Sequence, residues 1–339
     1  MKKKYKDILK VTNYGLYCPS GNFYIDAKSG VPLNLITHGH ADHARYGSTQ
    51  YLSAIDSKEI LHQRIGKNSA LEVIPYNEKI KIGKAWVSFH SAGHIMGSSQ
   101  IRVEVGSDVW VVTGDYKRQN DPSCAPFEIV PCNTLITETT FALPIYDWKD
   151  ENSVILDLYN WWQENNLRGF ASVVFCYALG KAQRILAMLQ ALTKDTIYLH
   201  GAIVPFVQIY RDKGIVMPPT SPVSELPKKG SFAGKLILAP PSANNTPWIK
   251  KFYPYRTAAT SGWMAVRGAK RWANYDRGFV LSDHVDWKDL LQTIKETKAT
   301  NILTTHGFVD IASRYIQENL QLDSEPLGMT LGEINEDEE

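Results

Sequence analysis

Residues 33–43, LNLITHGHADH, constrain what this chain can fold into more than any other stretch. Leu33 to Thr37 is largely apolar and predicts a short buried strand, and four possible metal ligands follow it within six residues: His38, His40, Asp42 and His43. Because residues two apart in an extended segment point the same way, we expect His38 and His40 to hold one cation together. Asp42 and His43 come after the chain has begun to turn, so they are free to face a second cation. Imidazoles with a carboxylate suit zinc or another divalent ion that activates water.

The cysteines favour histidine and carboxylate ligands over thiolates. Cys18, Cys124, Cys132 and Cys176 are scattered and form no CxxC pair, which argues against a thiolate zinc site and against a disulfide framework. The first residues, MKKKYKDILK, lack the apolar region of a secretory signal, and no apolar run approaches the ~20 residues that cross a bilayer. We therefore expect a cytoplasmic location without a membrane anchor.

Further candidate ligands stand at the ends of later apolar strands. His94 lies between Gly93 and Gly97 and is a natural third imidazole for the first metal. Asp115 ends the run VWVVTGD, where a carboxylate is costly unless it is paired or bound to metal, and one such group can bridge two cations. Glu138 follows another strand and either accepts a hydrogen bond at the metal site or is an ordinary loop glutamate.

Three more polar residues are candidates with weaker support. Asp26 follows a short strand and either orients a metal-bound histidine or forms a turn. His284 and His306 each follow an apolar strand late in the chain. Together they could supply another ligand for the second metal and a proton donor, although each alone could equally cap a helix.

Two stretches have the composition of phosphate or nucleic-acid contacts. Lys181 and Gln183 open a helix after a strand and a glycine loop, which is either a phosphate site or a plain turn from strand to helix. Near residue 270, Arg267 and Arg271 interleave with tryptophans, as in a groove for single strands, or else form a solvated face over core tryptophans. The net charge of +2 is too small to indicate a nucleic-acid partner by itself.

The order of the motifs along the chain resembles one known family. These motifs are HGHADH, AGH, GDY, TET, ALGKAQ, SGW, SDHVDW and THG. In this order they resemble the β-CASP nucleases of the metallo-β-lactamase superfamily. More narrowly, the stretches DPSCAPFEIVPCNTLITETTFALPIY and SGWMAVRG to DRGFVLSDHVDW resemble the bacterial ligase-associated DNA exonucleases, which are similar to the DNA cross-link repair nucleases.

The resemblance implies an α/β fold, namely a four-layer αββα metallo-β-lactamase sandwich with an inserted α/β β-CASP cap. A chain of 339 residues is long enough for two domains or one domain with a large insertion. We expect the sandwich in residues 1–143 and 278–331, the cap in residues 144–277, and an acidic tail in residues 332–339.

The resemblance also implies roles for the candidate residues. His38, His40 and His94 would hold one zinc ion, and Asp42, His43 and His306 the other. Asp115 would bridge the two metals, for which Mn²⁺ is an alternative to Zn²⁺. Asp26 matches the early aspartate of the superfamily. The expected catalytic residues are Asp42, Glu138 and His284, with His284 as the acid for the leaving oxygen.

The implied activity is zinc-dependent DNA exonuclease activity in end repair, beside an ATP-dependent DNA ligase and a helicase. RNA processing is the alternative, because His306 stands where the RNA-cleaving β-CASP enzymes also carry histidine. A small-molecule hydrolase of the thioester or lactam kind and a catalytically inactive nucleic-acid-binding scaffold are the other hypotheses.

Overall fold

The computed structural model of the chain describes residues 8–226, 232–266 and 275–328. They form two compact units. The first unit comprises the chain up to Tyr146 and again from His284, and the second comprises Asp147–Asp283. The second unit is therefore an insertion in the sequence of the first.

The amino-terminal part of the first unit is mostly strand. Its elements are β1 (Lys10–Thr12), β2 (Gly15–Cys18), β3 (Phe23–Ile25), β4 (Leu33–Leu35), β5 (Gln50–Ala54), α1 (Lys58–Ile65), β6 (Leu71–Ile74), β7 (Ile80–Ile82), β8 (Ala85–Ser91), β9 (Ser99–Val105), β10 (Asp108–Val112) and β11 (Thr134–Glu138).

The second unit alternates strands and helices around one parallel sheet. Its elements are α2 (Glu151–Leu167), β12 (Ala171–Phe175), α3 (Lys181–Leu189), β13 (Ile197–Leu199), α4 (Val204–Asp212), β14 (Thr220–Pro222), β15 (Leu236–Ala239), α5 (Pro247–Lys250), β16 (Tyr255–Thr260) and β17 (Arg277–Phe279). In the described residues the sheet order is β14-β13-β15-β12-β16-β17, and each neighbouring pair is parallel. Its central strands are buried and rich in β-branched and apolar residues, as a sheet covered on both faces requires.

The carboxyl-terminal part returns to the first unit. Its elements are α6 (Trp287–Thr297), β18 (Asn301–Thr305), α7 (Val309–Tyr315) and β19 (Asp323–Pro326). The side chain of Asp286 caps α6 by accepting a hydrogen bond from the Asp289 amide.

Two sheets build the first unit in the part of the chain that the structure describes. One has the order β1 to β6, and the other has the order β19-β18-β11-β10-β9-β8-β7. A single apolar cluster contains side chains of both sheets, including Phe23, Ile25 and Leu35 from the first and Val87 and Ile101 from the second. On the opposite face of the second sheet, Val111 and Ile302 pack with Leu290 and Ile294 of α6. The unit is a mixed α/β fold with its main core between the sheets.

Strand direction in the second sheet decides where its loops meet. β10, β11 and β18 are mutually parallel, and β8 shares their direction because β9 is antiparallel to both β8 and β10. The loops that leave the carboxyl ends of these four strands therefore lie at one edge of the sheet.

The inserted unit comprises Asp147–Asp283, and the predicted cap comprised residues 144–277. The boundary at 277/278 falls inside β17, and the pairing of Thr260 with Phe279 keeps that strand in the sheet of the second unit. The acidic tail, residues 332–339, lies outside the described residues. Among the residues that are described, no helix is both long and apolar enough to cross a membrane.

Candidate metal centre

The polar segment after β4 delivers the first candidate ligands. β4 ends at Leu35, and the carbonyl of His40 then accepts hydrogen bonds from the amides of His43 and Ala44 at 3.2 and 2.9 Å. Because the backbone turns here, the side chain of His43 points in a different direction from those of His38 and His40. Arg64 also donates from Nε to the Gly39 carbonyl at 3.0 Å, which fixes the residue between the two histidines.

His94 is positioned by a tight loop after β8. Gly93 has φ +68°, and a Cβ atom there would collide with the Lys117 carbonyl, so only glycine fits. The Ser98 hydroxyl accepts hydrogen bonds from the amides of His94 and Ile95 at 3.1 and 3.2 Å. These contacts hold the His94 backbone without using its ring.

Asp115 stands two residues beyond Thr113 at the end of β10. Gly114 has φ +56°, and a Cβ atom at this position would lie 2.7 Å from the Thr37 side chain. The lack of a side chain at Gly114 therefore lets the β10 loop approach the segment after β4. Asp115 is buried, with 6% exposure, among the histidines of that segment.

The first group of ligand atoms converges on one point. His40 Nδ1 lies 3.2 Å from His38 Nε2 and 3.1 Å from His94 Nε2. Asp115 Oδ2 lies 3.5 Å from His38 Nε2 and 3.9 Å from His94 Nε2. Two nitrogens that bind the same tetrahedral zinc ion, each at about 2.0–2.1 Å, lie about 3.3 Å apart. The observed separations therefore fit a cation of that size.

A second group shares Asp115 with the first. His43 Nε2 lies 3.4 Å from Asp42 Oδ2 and 3.6 Å from Asp115 Oδ2. The ring of His306 stacks on that of His43 with centroids 5.6 Å apart, and His43, Asp115 and His306 offer ligand atoms within 4.8 Å of one another. The seven candidate metal ligands are therefore brought together, and Asp115 belongs to both groups.

Asp26 supports His43 from behind. Its Oδ2 lies 2.8 Å from His43 Nδ1, and it also accepts hydrogen bonds from the amide and hydroxyl of Thr37 at 2.8 and 2.6 Å. The contact turns His43 Nε2 toward Asp115, which is how a carboxylate orients a ligand histidine. Asp26 itself has φ +45°, a conformation that a non-glycine residue adopts at a cost.

Glu138 and His284 form a pair beside the first group. His284 Nδ1 lies 2.8 Å from Glu138 Oε2, and Glu138 Oε1 accepts a hydrogen bond from the Tyr116 amide at 2.8 Å. The His284 ring lies 5.0 Å from that of His94 and is partly exposed. Because Nδ1 donates to Glu138, this contact fixes the tautomer and the orientation of the His284 ring.

Burial and mutual charge favour the neutral forms of His38 and His306 by lowering their pKa values. Burial lowers the pKa of His38 well below its usual range, and it lowers the pKa of His306 to about 3, where the charges of His43 and Lys28 act in the same direction. Burial would also lower the pKa of His43, but Asp42, Asp115 and Asp26 raise it well above its usual value. Neutral imidazole is the form of histidine that binds metal. The three carboxylates around His43 favour a positive charge beside them, either a proton on His43 or a bound cation.

Several buried polar atoms at the centre have no hydrogen-bond partner within the described chain. They are His43 Nε2, Asp115 Oδ1 and both ring nitrogens of His306. Burial raises the pKa of Asp115 to about 6, although His43 opposes this shift. Unsatisfied buried atoms cost free energy, and a cation bound among them would remove that cost. The donor set therefore fits divalent metal ions.

Thr139 is a supporting residue that sequence reasoning missed. His306 has φ +57°, and the buried Thr139 hydroxyl donates to the backbone carbonyls of His306 and Thr305. A Cβ at the next residue, Gly307, would collide with the Thr139 carbonyl. The second threonine of the TETT motif was the available signal, since a hydroxyl beside a strand end can bond to a neighbouring backbone.

We expect the Thr139→Val variant to lose about 1–3 kcal/mol of stability, because the His306 carbonyl loses its donor while the shape of the side chain is kept; the Thr305 carbonyl still accepts from the Thr139 amide. It should also bind metal more weakly, since His306 would no longer be held. Thr139→Ser, which keeps the hydroxyl, is the control and should behave like the unmodified protein. Thermal unfolding and metal titration of both variants test this, and equal behaviour of the two would contradict the role of the hydroxyl.

Lys181 and Gln183 do not face solvent. Lys181 is 2% exposed, donates to the Leu281 carbonyl at 2.8 Å and pairs with Asp283 at 2.9 Å. Gln183 is fully buried, and its amide bonds with the Gly180 amide and the Ala178 carbonyl. These internal contacts argue against the predicted phosphate role, because both side chains already bind their own unit. The other predicted nucleic-acid contacts, Arg267 and Arg271, lie outside the described residues.

Comparison with known proteins gives relatives that are longer than this chain. No protein-family model matches it. It is 27% identical over 308 residues, or 90% of the chain, to a probable DNA ligase from Opitutus terrae. It is 28% identical over 122 residues, or 35% of the chain, to endoribonuclease YSH1 from Saccharomyces cerevisiae. The chain spans 30% of the length of the first relative and 15% of the second.

One solved structure has a similar fold. The crystal structure of a protein of unknown function from Enterococcus faecalis V583 matches 89% of this chain and 80% of its own, with a TM-score of 0.61 and 14% identity. That likeness concerns the fold alone. The sequence relatives support the resemblance to the β-CASP superfamily of metallo-β-lactamase nucleases, without assigning the chain to one of its subfamilies.

Proposed function

We propose that the protein is a metal-dependent nuclease that hydrolyses phosphodiester bonds, and more specifically a zinc-dependent DNA exonuclease. The observation that carries the proposal is the pair of overlapping ligand groups that share the buried carboxylate of Asp115. Sites with two metals and a shared carboxylate recur in phosphatases and nucleases. The proposed fold is the αββα sandwich with a β-CASP cap, the cap corresponding to the inserted unit.

The proposed division of the ligands is the one that the family resemblance implies, whereas in the structure Asp42 groups with His38 and His43. His38, His40 and His94 would hold one divalent cation, Asp42, His43 and His306 the other, and Asp115 both. When bound, such ions act as Lewis acids that activate water near neutral pH and neutralise charge on a phosphodiester. Asp42 stays ionised: burial would raise its pKa, but the nearby charge of His43 lowers it below its usual value.

The remaining residues of the centre, His284 and Glu138, would supply the proton for the leaving oxygen. His284 is the proposed general acid: Glu138 holds its Nδ1, and Nε2 would be the nitrogen that protonates the leaving oxygen. Glu138 fixes the tautomer and the ring orientation, and its second oxygen is anchored on the Tyr116 amide. The pair is within reach of the shared carboxylate, because Asp115, Glu138 and His284 offer atoms within 4.8 Å of one another.

DNA is the preferred substrate in this proposal, and RNA is the second candidate. The DNA choice is supported by the motif resemblance to ligase-associated exonucleases and by similarity across 90% of the chain to a probable DNA ligase. That relative also supports an ATP-dependent DNA ligase as the partner; a helicase partner and a cytoplasmic location stay predictions. The RNA choice is favoured by His306 and by the similarity to an endoribonuclease.

Digestion of end-labelled DNA and RNA, single- and double-stranded, with and without chelator, tests the proposal. We expect DNA to be shortened from an end in the presence of Zn²⁺ or Mn²⁺ and to stay intact with chelator. Internal cleavage of RNA at a higher rate would instead support the RNA-processing alternative. Cleavage that persists after complete metal removal would contradict the metal dependence, and no cleavage with any divalent ion would contradict the nuclease assignment.

A further inference from the structure

The loop that follows the histidine motif carries an exposed aromatic ring. Tyr46 lies three residues after His43 and is 78% exposed. The Tyr46 ring is among the most exposed large hydrophobic side chains of the described residues, so its apolar face is open to a ligand. Loops held by a rigid scaffold are where binding residues concentrate.

The backbone of this loop is held firmly although the ring is exposed. The Tyr51 hydroxyl donates to the Arg45 carbonyl at 3.0 Å and so ties the loop to β5. Gly30 and Gly47 bring two loops into backbone contact, since a Cβ at Gly30 would collide with the Gly47 carbonyl. Binding to Tyr46 would therefore order little backbone, which lowers its entropic cost.

Two cationic side chains accompany the ring. Arg45 precedes Tyr46 and donates to the Lys28 carbonyl at 3.4 Å. Lys28 lies two residues after Asp26, the carboxylate that supports His43, and its charge reaches His306. An aromatic face next to positive charges is the combination that binds single-stranded nucleic acid, in which bases stack and phosphates are neutralised.

We propose that Lys28, Arg45 and Tyr46 form a strand-binding surface of the first unit, on which Tyr46 stacks with an unpaired base and the two cations contact phosphates. This inference rests on the proposed nuclease function and adds a substrate feature to it, namely an unpaired base close to the metal centre. The candidate nucleic-acid contacts predicted from the sequence all fall in the inserted unit. This surface adds contacts in the first unit.

Binding without cleavage separates this surface from the chemistry. Fluorescence anisotropy with a labelled oligothymidylate in the presence of chelator measures affinity while the metal centre is inactive. We expect Tyr46→Ala to bind about 5- to 150-fold more weakly, which corresponds to the loss of one stacked base. Tyr46→Phe keeps the ring and should retain the affinity. Tyr253→Ala removes a tyrosine that is equally exposed, at 81%, and is the matched control.

Two further measurements distinguish stacking from charge. An oligonucleotide with abasic sites offers no base, so Tyr46→Ala should not weaken its binding further. Lys28→Ala and Arg45→Ala should each reduce the slope of log affinity against log salt by about 0.7, the value for one contact with a single strand. Tyr46→Ala should leave that slope unchanged.

The outcomes separate this inference from the proposed function. If the unmodified protein cleaves DNA with metal but Tyr46→Ala binds as well as Tyr253→Ala does, the surface is refuted and the nuclease assignment stands. An equal loss of affinity for abasic and normal strands would also refute stacking. If the unmodified protein neither binds nor cleaves any strand, both proposals fail. Circular dichroism of each variant checks that it is folded.

Discussion

Replacing Asp115 with alanine is expected to abolish nuclease activity, with a fall in rate of more than about 10³-fold. Residues that hydrogen-bond to metal ligands typically contribute about 10–100-fold to metal affinity or activity. Asp115 is common to both ligand groups, so its loss should lower the activity by more than that. The purified variant should also carry fewer divalent ions per chain than the unmodified protein. Cleavage of labelled DNA and elemental analysis of the purified proteins measure the two effects.

The fold of this variant should survive, which makes the test specific. Burial raises the pKa of Asp115 to about 6, so in the metal-free protein the ionised carboxylate opposes folding above that pH. The stability that this group contributes is present below its ordinary pKa and is lost as the pH rises through about 6. At pH 7 we therefore expect the metal-free variant to be at least as heat-stable as the metal-free unmodified protein. Near-normal cleavage by Asp115→Ala would refute the two-metal assignment.

Replacing His284 with alanine is expected to slow cleavage by about 10²–10⁴-fold without loss of metal, because a general acid contributes in that range. His284 bonds to Glu138 through Nδ1, and in the proposed role Nε2 would donate the proton to the leaving group. The effect should appear in kcat more than in KM, and the limb of the pH profile that reports the acid should disappear. Steady-state kinetics across pH together with metal analysis measures this.

Glu138→Gln is the companion variant for the proton-donor role. It keeps the shape of Glu138 but weakens the hold on His284, so its activity should lie between those of the unmodified protein and His284→Ala. If His284→Ala loses metal in parallel with activity, His284 is a metal ligand and the proton donor must be sought elsewhere. Equal activity of His284→Ala and the unmodified protein would exclude both roles.

Much of the first unit could be predicted from local patterns. In β9 the apolar residues alternate, and in α6 they recur at helical spacing, because each element buries one face against a core. The candidate ligands were predictable for a related reason: polar residues at the ends of apolar strands meet at one sheet edge when the strands share a direction. The structure places His94, Asp115 and His306 together in this way.

Contacts between residues distant in sequence could not be predicted. Lys181 looked like a phosphate ligand because its partner, Asp283, lies about a hundred residues later in the chain. For Thr139 the local sequence shows only a hydroxyl just after β11, and the backbone that it holds, at His306, lies 167 residues later in the chain. Tyr46 differs again, since its exposure is a property of the folded surface and not of its neighbours in sequence.

The pairing of β11 with β18 has a consequence for the order in which a growing chain gains its metals. Thr139 and His306 are 167 residues apart, and the whole inserted unit is translated between them. At about 5–20 residues per second, a ribosome would supply β18 roughly 8–30 s after β11. During that interval His38, His40, His94 and Asp115 have all left the ribosome, while His306 has not been made. We therefore expect a nascent chain to load the histidine-rich group first and the other only after the insertion has been synthesised.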